Sequence, residues 1–236
     1  TLSVTGNASL NTGSVFLTEI DGRTYNAAGG AGSYDRLVVS GTLALGGNIT
    51  PVLRGISAPA NNSFSPIIGD IFTVATAASV TGSFSGVTQP ATGLPINTRF
   101  DVLYNPTNVQ TVLTPNSYVA LGISNGWKQN GINAASGLDS IRPAAGTRSG
   151  TLQSLFNGLY GMNAQQLAVT ASQISGEIHA HALQSVVEAE RASLSTVLEG
   201  SCDAICKIPT TEIKGDFNLW TRVTGLYSKQ AISILA

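Results

Sequence analysis

The chain has 236 residues, enough for one large or two modest domains, and at that length folding buries about three quarters of the surface an unfolded chain exposes. Only 11% of residues are charged, against about 25% in globular domains, and the net charge is −1 with the basic residues scattered. That pattern lacks the electrostatic footprint of a nucleic-acid or anionic-membrane binder, and no run of about 18 or more apolar residues offers a helix that spans a bilayer.

Gly reaches 26 residues and small polar types fill much of the remainder. Gly and Asn supply the positive backbone angles of tight turns, so this composition suits many short strands joined by corners. Thr1-Leu2-Ser3-Val4 starts inside a strand-like pattern, without the charged start and apolar middle of a signal peptide, so the sequence reads as part of a longer polypeptide. Leu2 to Leu10 is echoed 35 positions later by Leu37 to Leu45. In both copies apolar residues alternate and a Gly follows the β-branched run, which suggests a structural repeat. Further strands are expected at Ile49 to Leu53, Ile71 to Thr76, Ser79 to Phe84, Phe100 to Tyr104 and Val109 to Thr114. Gly46-Gly47, Gly69-Asp70 and Asn105-Pro106 are among the turns between them. Strands this short gain stability only when stacked or sandwiched.

Residues 116–150 lose the alternation and read as an irregular connector. Leu152, Leu155, Phe156, Leu159 and Tyr160 then form the stripe of an amphipathic helix that Gly161 can end. Asn163 with Gln166 three residues on marks the start of a second helix, whose stripe runs through Leu167, Ala171, Ile174 and Ile178, interrupted by Ser175-Gly176. A third helical stretch, Glu177 to Glu199, is long and weakly apolar, as suits a helix that lies against something or sits in a polar, water-filled space rather than in a dry core.

Cys202 and Cys206 are the only cysteines. A four-residue helical spacing puts their Cα atoms about 6 Å apart, within disulfide range, so a local disulfide is expected; a metal site would need two more ligands. Beyond them Phe217, Leu219, Thr221, Val223, Gly225 and Tyr227 alternate with Asn218, Trp220, Arg222, Thr224 and Leu226. This dyad pattern suits a strand with lipid on one side and a polar lumen on the other, and also an edge strand of a soluble sheet.

Three patterns invite a chemical reading. Gly122-Ile123-Ser124-Asn125-Gly126 matches the G-x-S-x-G nucleophile elbow, with Asp139 and His179 or His181 following in hydrolase order. The elbow needs a strand before it and a helix after it, and Gly126 to Gly131 reads as no helix, so a Ser124 hydrolase is a minor alternative. Glu177, His179 and His181 would point to different sides of a helix, and no third histidine exists, so no metal is expected. Glu19, Asp21, Asp35, Asp70 and Asp101 are too spread along the chain to suggest the paired acids of glycoside chemistry. Phosphate-loop and dinucleotide fingerprints are absent, and no cofactor is expected.

Several stretches together resemble bacterial autotransporters, the type V secretion proteins whose passenger crosses the outer membrane through a C-terminal barrel of the same polypeptide. They are YDRLVVSGTLALGG (Tyr34 to Gly47), GDIFTVATAASVTGSF (Gly69 to Phe84), RFDVLYNPTNVQTVLTP (Arg99 to Pro115), QISGEIHAHA (Gln173 to Ala182) and LWTRVTG (Leu219 to Gly225). The resemblance implies a mainly β fold: a parallel β-helix (β-solenoid) followed by α-helical linker segments and one amphipathic terminal strand. Residues 1–115 would be the C-terminal, autochaperone-like rungs of the passenger, 116–150 a connector, 151–200 helical segments including the pore linker, and 201–236 the start of the translocator barrel. Phe217, Leu219, Trp220, Arg222, Val223 and Gly225 would lie on the first barrel strand. The implied role is a non-catalytic stem that supports folding and surface display of an upstream passenger at the outer membrane or cell surface. Its partners would be its own barrel and the outer-membrane assembly machinery. One strand cannot close a barrel, so the chain is not a translocator by itself. An adhesin module that binds a host surface is the alternative binding role.

Overall fold

The computed structural model describes residues 1–53, 63–148, 150–176 and 184–195. In chain order the first strands are β1 (Leu2–Val4), β2 (Ala8–Ser9) and β3 (Val15–Ile20), then β4 (Leu37–Val39), β5 (Thr42–Leu45) and β6 (Asn48–Leu53), then β7 (Ile71–Thr76), β8 (Ser79–Gly82) and β9 (Gly86–Val87). Three passes of the chain thus contribute one strand each to three parallel ladders: β1-β4-β7, β2-β5-β8 and β3-β6-β9. The 35-residue echo is the pairing register, with Leu2 beside Leu37, Val4 beside Val39 and Ala8 beside Leu43. Like residues therefore stack on like, and the corners must be tight. At Gly47 (φ 65°) a Cβ would sit 2.2 Å from the Ser14 carbonyl oxygen, so only glycine fits.

The inward side chains of these passes form one apolar core that includes Leu37, Val39, Leu43, Ile49, Phe72 and Phe84. Phe72 is edge-on to Tyr34, Phe64 and Phe100, an arrangement that favours aromatic pairs beyond their buried area.

An antiparallel hairpin of β10 (Thr98–Tyr104) and β11 (Asn108–Pro115) finishes the first ladder, with β11 pairing antiparallel to β7. Both faces of the hairpin are covered. Phe100, Val102 and Tyr104 join the strand core, while Leu103 and Val112 join a second core made by helices. Those helices are α1 (Tyr118–Ser124), α2 (Gln129–Ile141), α3 (Gln153–Tyr160) and α4 (Ala164–Ile174), with a 3-10 turn at Gly150–Leu152.

Strand and helix occupy comparable shares of the described chain, which is a mixed α/β fold with parallel and antiparallel pairing, where a mainly β chain was expected. The expected irregular connector is instead α1 and α2. Its helical stripe escapes notice because the buried residues of α2 are Gly131, Ala135 and Leu138, correctly spaced but mostly small. The Asp139 carboxylate organises the start of α1 by accepting from the Ser117 hydroxyl (2.7 Å) and the Tyr118 and Val119 N–H groups (2.9 and 3.1 Å). The α3 and α4 boundaries follow the sequence signals: Gly161 caps α3, and Asn163 and Gln166 form a reciprocal capping box on α4. Strands β3 and β9 were not anticipated.

The first compact unit spans Thr1–Ser175, so α1 to α4 share it with the strands. A second unit starts at Gly176, and its described part is a helix, α5, over 184–195. Val186, Val187 and Leu194 on α5 are exposed. Among the described residues no helix is long and apolar enough to cross a membrane. Glu177, His179, His181, Cys202, Cys206 and the 217–227 segment lie outside the described residues, as do Phe217, Leu219, Trp220, Arg222, Val223 and Gly225.

Candidate functional site

The two ends of the stacked ladders are built differently, and the difference begins with single residues. At the downstream end every ladder meets a cover. β11 pairs along β7, and the turn before it reaches β8, where the Val80 N–H donates to the Pro106 carbonyl at 2.8 Å. The segment from Arg142 to Arg148 crosses β8 and β9: Arg148 donates twice to the Gly82 carbonyl (3.2 and 3.1 Å), and Gly146 packs against Gly86. Tyr104 holds this crossing in place, accepting from the Phe84 N–H at 2.9 Å and donating to the Gly146 carbonyl. Burial pushes the Tyr104 hydroxyl up to about 12, partly offset by the Phe84 N–H and the Arg148 charge, so it stays a neutral donor. The outer edge of β10 is closed by an amide that imitates a strand: Gln89 donates to the Phe100 carbonyl at 2.9 Å and accepts from its N–H at 2.8 Å.

A buried ionic cluster joins this hairpin to the helices. Arg142 donates to Asp101 at 2.5 Å and to the Thr114 hydroxyl at 2.6 Å, with the side chains of Arg142 and Asp101 only 3% and 1% exposed. Arg99 approaches the same carboxylate at 3.1 Å, and the Tyr118 and Tyr160 rings flank the Arg142 guanidinium at 4.8 and 5.4 Å. Burial raises both tyrosine hydroxyls above their ordinary value, with the Arg142 charge opposing it. The cluster sets two guanidinium groups against one covered carboxylate.

At the upstream end the ladders are bare. β1, β2 and β3 are each terminal in their sheets, so among the described strands none pairs with their outer side. The inward residues of this first pass remain partly uncovered where their second-pass partners are buried. Leu2 is 66% exposed beside Leu37 at 6%, and Val4 and Phe16 are half-buried beside Val39 at 3% and Ile49 at 0%. Leu10 and Ala8 are likewise only partly buried. The backbone is equally unfinished. Leu2 donates to the Arg36 carbonyl and Val4 accepts from the Ser40 N–H, so the N–H and C=O of Ser3 between them point away from β4. The open outer edge from Val15 to Thr18 carries no charge, proline or bulge, the devices that usually protect an edge.

The residues singled out for chemistry are placed differently. Ser124 is the last residue of α1, with its hydroxyl donating to the Leu121 carbonyl at 3.0 Å. Asp139 is bound at the opposite end of that helix, roughly 9 Å away along the axis, given a rise of about 1.5 Å per residue. The chain entering Ser124 is helical and α2 begins at Gln129, so the strand, sharp turn and helix of an elbow are not reproduced; the expectation that no helix follows is also corrected. Asp35 and Glu19 do come together, through the Glu19 N–H donating to the Asp35 carboxylate at 3.3 Å. Among the described residues no group of three or more His, Cys, Asp or Glu could hold a metal ion. An open groove of about 700 Å³ between α2, α3 and α4 is lined by Asn133, Leu138, Ile141, Leu155 and Ile174 among others, none of them titratable.

No protein-family model matches the chain, and no curated protein or solved structure matches it either.

Proposed function

We propose that residues 1–87 are consecutive turns of a parallel β-helix which, closed by the antiparallel β10–β11 hairpin, serves as the folding stem of an autotransporter-like surface protein, receiving the passenger chain that precedes it. The observation that carries this reading is the contrast between the two ends. The downstream end is finished by a hairpin, a side-chain amide and a crossing segment, while the upstream end offers an uncharged edge above an incompletely covered core.

The mechanism is energetic and needs no catalytic group. Covering Leu2, Val4 and Phe16 removes apolar surface from water, at about 1 kcal/mol for each side chain. Pairing Ser3, Val15 and Leu17 satisfies outward N–H and C=O groups, at about 1 kcal/mol per hydrogen bond. A turn that docks leaves a new edge of the same kind for the next one, so order propagates upstream from a preformed end. The closed downstream end gives that growth a direction. In this reading α5 and the residues after it lead towards a barrel that anchors the passenger at the outer membrane or cell surface.

The test is deletion of Tyr34 to Pro115 from a polypeptide carrying a passenger ahead of Thr1. Loss of the protease-resistant passenger core is expected, and an unchanged core would contradict the reading.

A further inference from the structure

The open end is not uniformly open, and the exception lies on β3. After Ile20 the chain makes an excursion and returns across the outer side of the same strand. The Asp21 N–H donates to the Ser33 carbonyl at 2.8 Å, the Asp35 N–H donates to the Glu19 carbonyl at 2.9 Å, and Ile20 forms an antiparallel bridge with Tyr34. The Asp35 carboxylate takes the Glu19 N–H. The outward backbone groups of Glu19, which would otherwise face an incoming strand, are thus already engaged. Coverage of the inward face changes over the same stretch: Phe16 is half-buried, whereas Thr18 and Ile20 are 0% exposed.

The returning loop is held on several sides. Gly22 and Gly32 approach so closely that a Cβ on Gly22 would lie 1.9 Å from the Gly32 carbonyl oxygen, and Gly32 has φ 77°. The Gly32 N–H donates to the Asp21 carboxylate at 3.0 Å. Arg36 stacks on the Tyr25 ring at 3.6 Å, donates to the Tyr34 hydroxyl at 3.0 Å and anchors itself on the Thr73 carbonyl at 2.9 Å. The Tyr34 ring in turn packs edge-on against Phe72 in the core.

We infer that the loop from Asp21 to Arg36 is a register stop: it limits the strand received above β3 to the stretch Val15 to Thr18 and so selects the alignment of the incoming turn. A parallel ladder can slip by two residues and still keep its apolar face inward, so the hydrophobic pattern alone leaves the alignment ambiguous. A backbone already bonded at Glu19 removes that freedom in one direction. The partner this specifies is an extended segment whose third strand covers Val15 to Thr18 and then turns away, shorter than the six-residue match that β6 makes with β3. Asp35 and Tyr34 are positioning residues in this scheme. The inference rests on the templating function proposed above.

The experiment adds a second copy of Leu2–Arg36 in place of Thr1, which keeps the 35-residue repeat, and follows amide hydrogen exchange residue by residue, with the original stop intact and with Gly22→Val, which cannot accommodate the Gly32 carbonyl. Circular dichroism of each variant first establishes that the strands are retained, and Asp35→Ala provides a milder opening should Gly22→Val fail to fold. With the stop intact, Ser3 and Leu17 should gain protection while the end of the added third strand exchanges freely; opening the stop should extend protection to that end. Protection of the whole added strand with the stop intact overturns the inference and leaves the templating reading standing. Absence of any gain at Ser3 and Leu17 overturns both.

Discussion

Arg142 shows how one side chain binds the strands to the helices. Its guanidinium satisfies Asp101, Thr114 and the Pro115 carbonyl at once, so removing it leaves a buried carboxylate with the more exposed Arg99 and the Thr114 hydroxyl beside it. Arg142→Ala should lower stability by about 3 kcal/mol in urea titration, the low end for a broken buried pair, and Arg99→Ala by clearly less. The buried tyrosines predict an alkaline limit. Tyr104 titrates at about 12 when folded and near its ordinary value of about 10 when unfolded, so the unfolded state loses its proton first as the pH rises. Its stabilising contribution is complete below about pH 10 and is lost as the pH climbs towards 12, by about 1.4 kcal/mol per pH unit. Urea midpoints measured across that range, compared with Tyr104→Phe, check the slope. The sequence shows these residues without their pairings: Asp101, Arg142 and Tyr118 are separated along the chain, and only the hairpin and helices bring them together.

At the scale of elements, legibility followed periodicity. The 35-residue echo was readable because stacking places equivalent residues in register, so Leu2 and Leu37 carry the same constraint. Helices α3 and α4 were readable from large apolar stripes and a capping box, and Asn163→Ala should destabilise α4 by about 1 kcal/mol, seen as faster amide exchange in its first turn. Helices α1 and α2 were not, because one is short and the other buries glycine and alanine where a stripe would show leucine. Strand β3 escaped because Val15 and Leu17 face outward and blur the polar alternation with Phe16 and Ile20. The edge protection of β10 depends on Gln89, eleven residues before Phe100, a pairing no local pattern encodes. Gln89→Ala should cost about 1 to 2 kcal/mol in urea titration and increase exchange at the Phe100 amide.

For the whole molecule, the asymmetry of the ends governs the account. A stack closed downstream and bare upstream keeps its unpaired edge and its half-covered apolar side chains at the upstream end. The most direct measurement is amide exchange at Ser3, Ser9 and Leu17 in this chain alone and in a longer polypeptide carrying a passenger ahead of Thr1. The account predicts rapid exchange alone and strong protection in the longer chain, with the amides of β6 protected in both. Equal, rapid exchange at Ser3, Ser9 and Leu17 in the two proteins would contradict it.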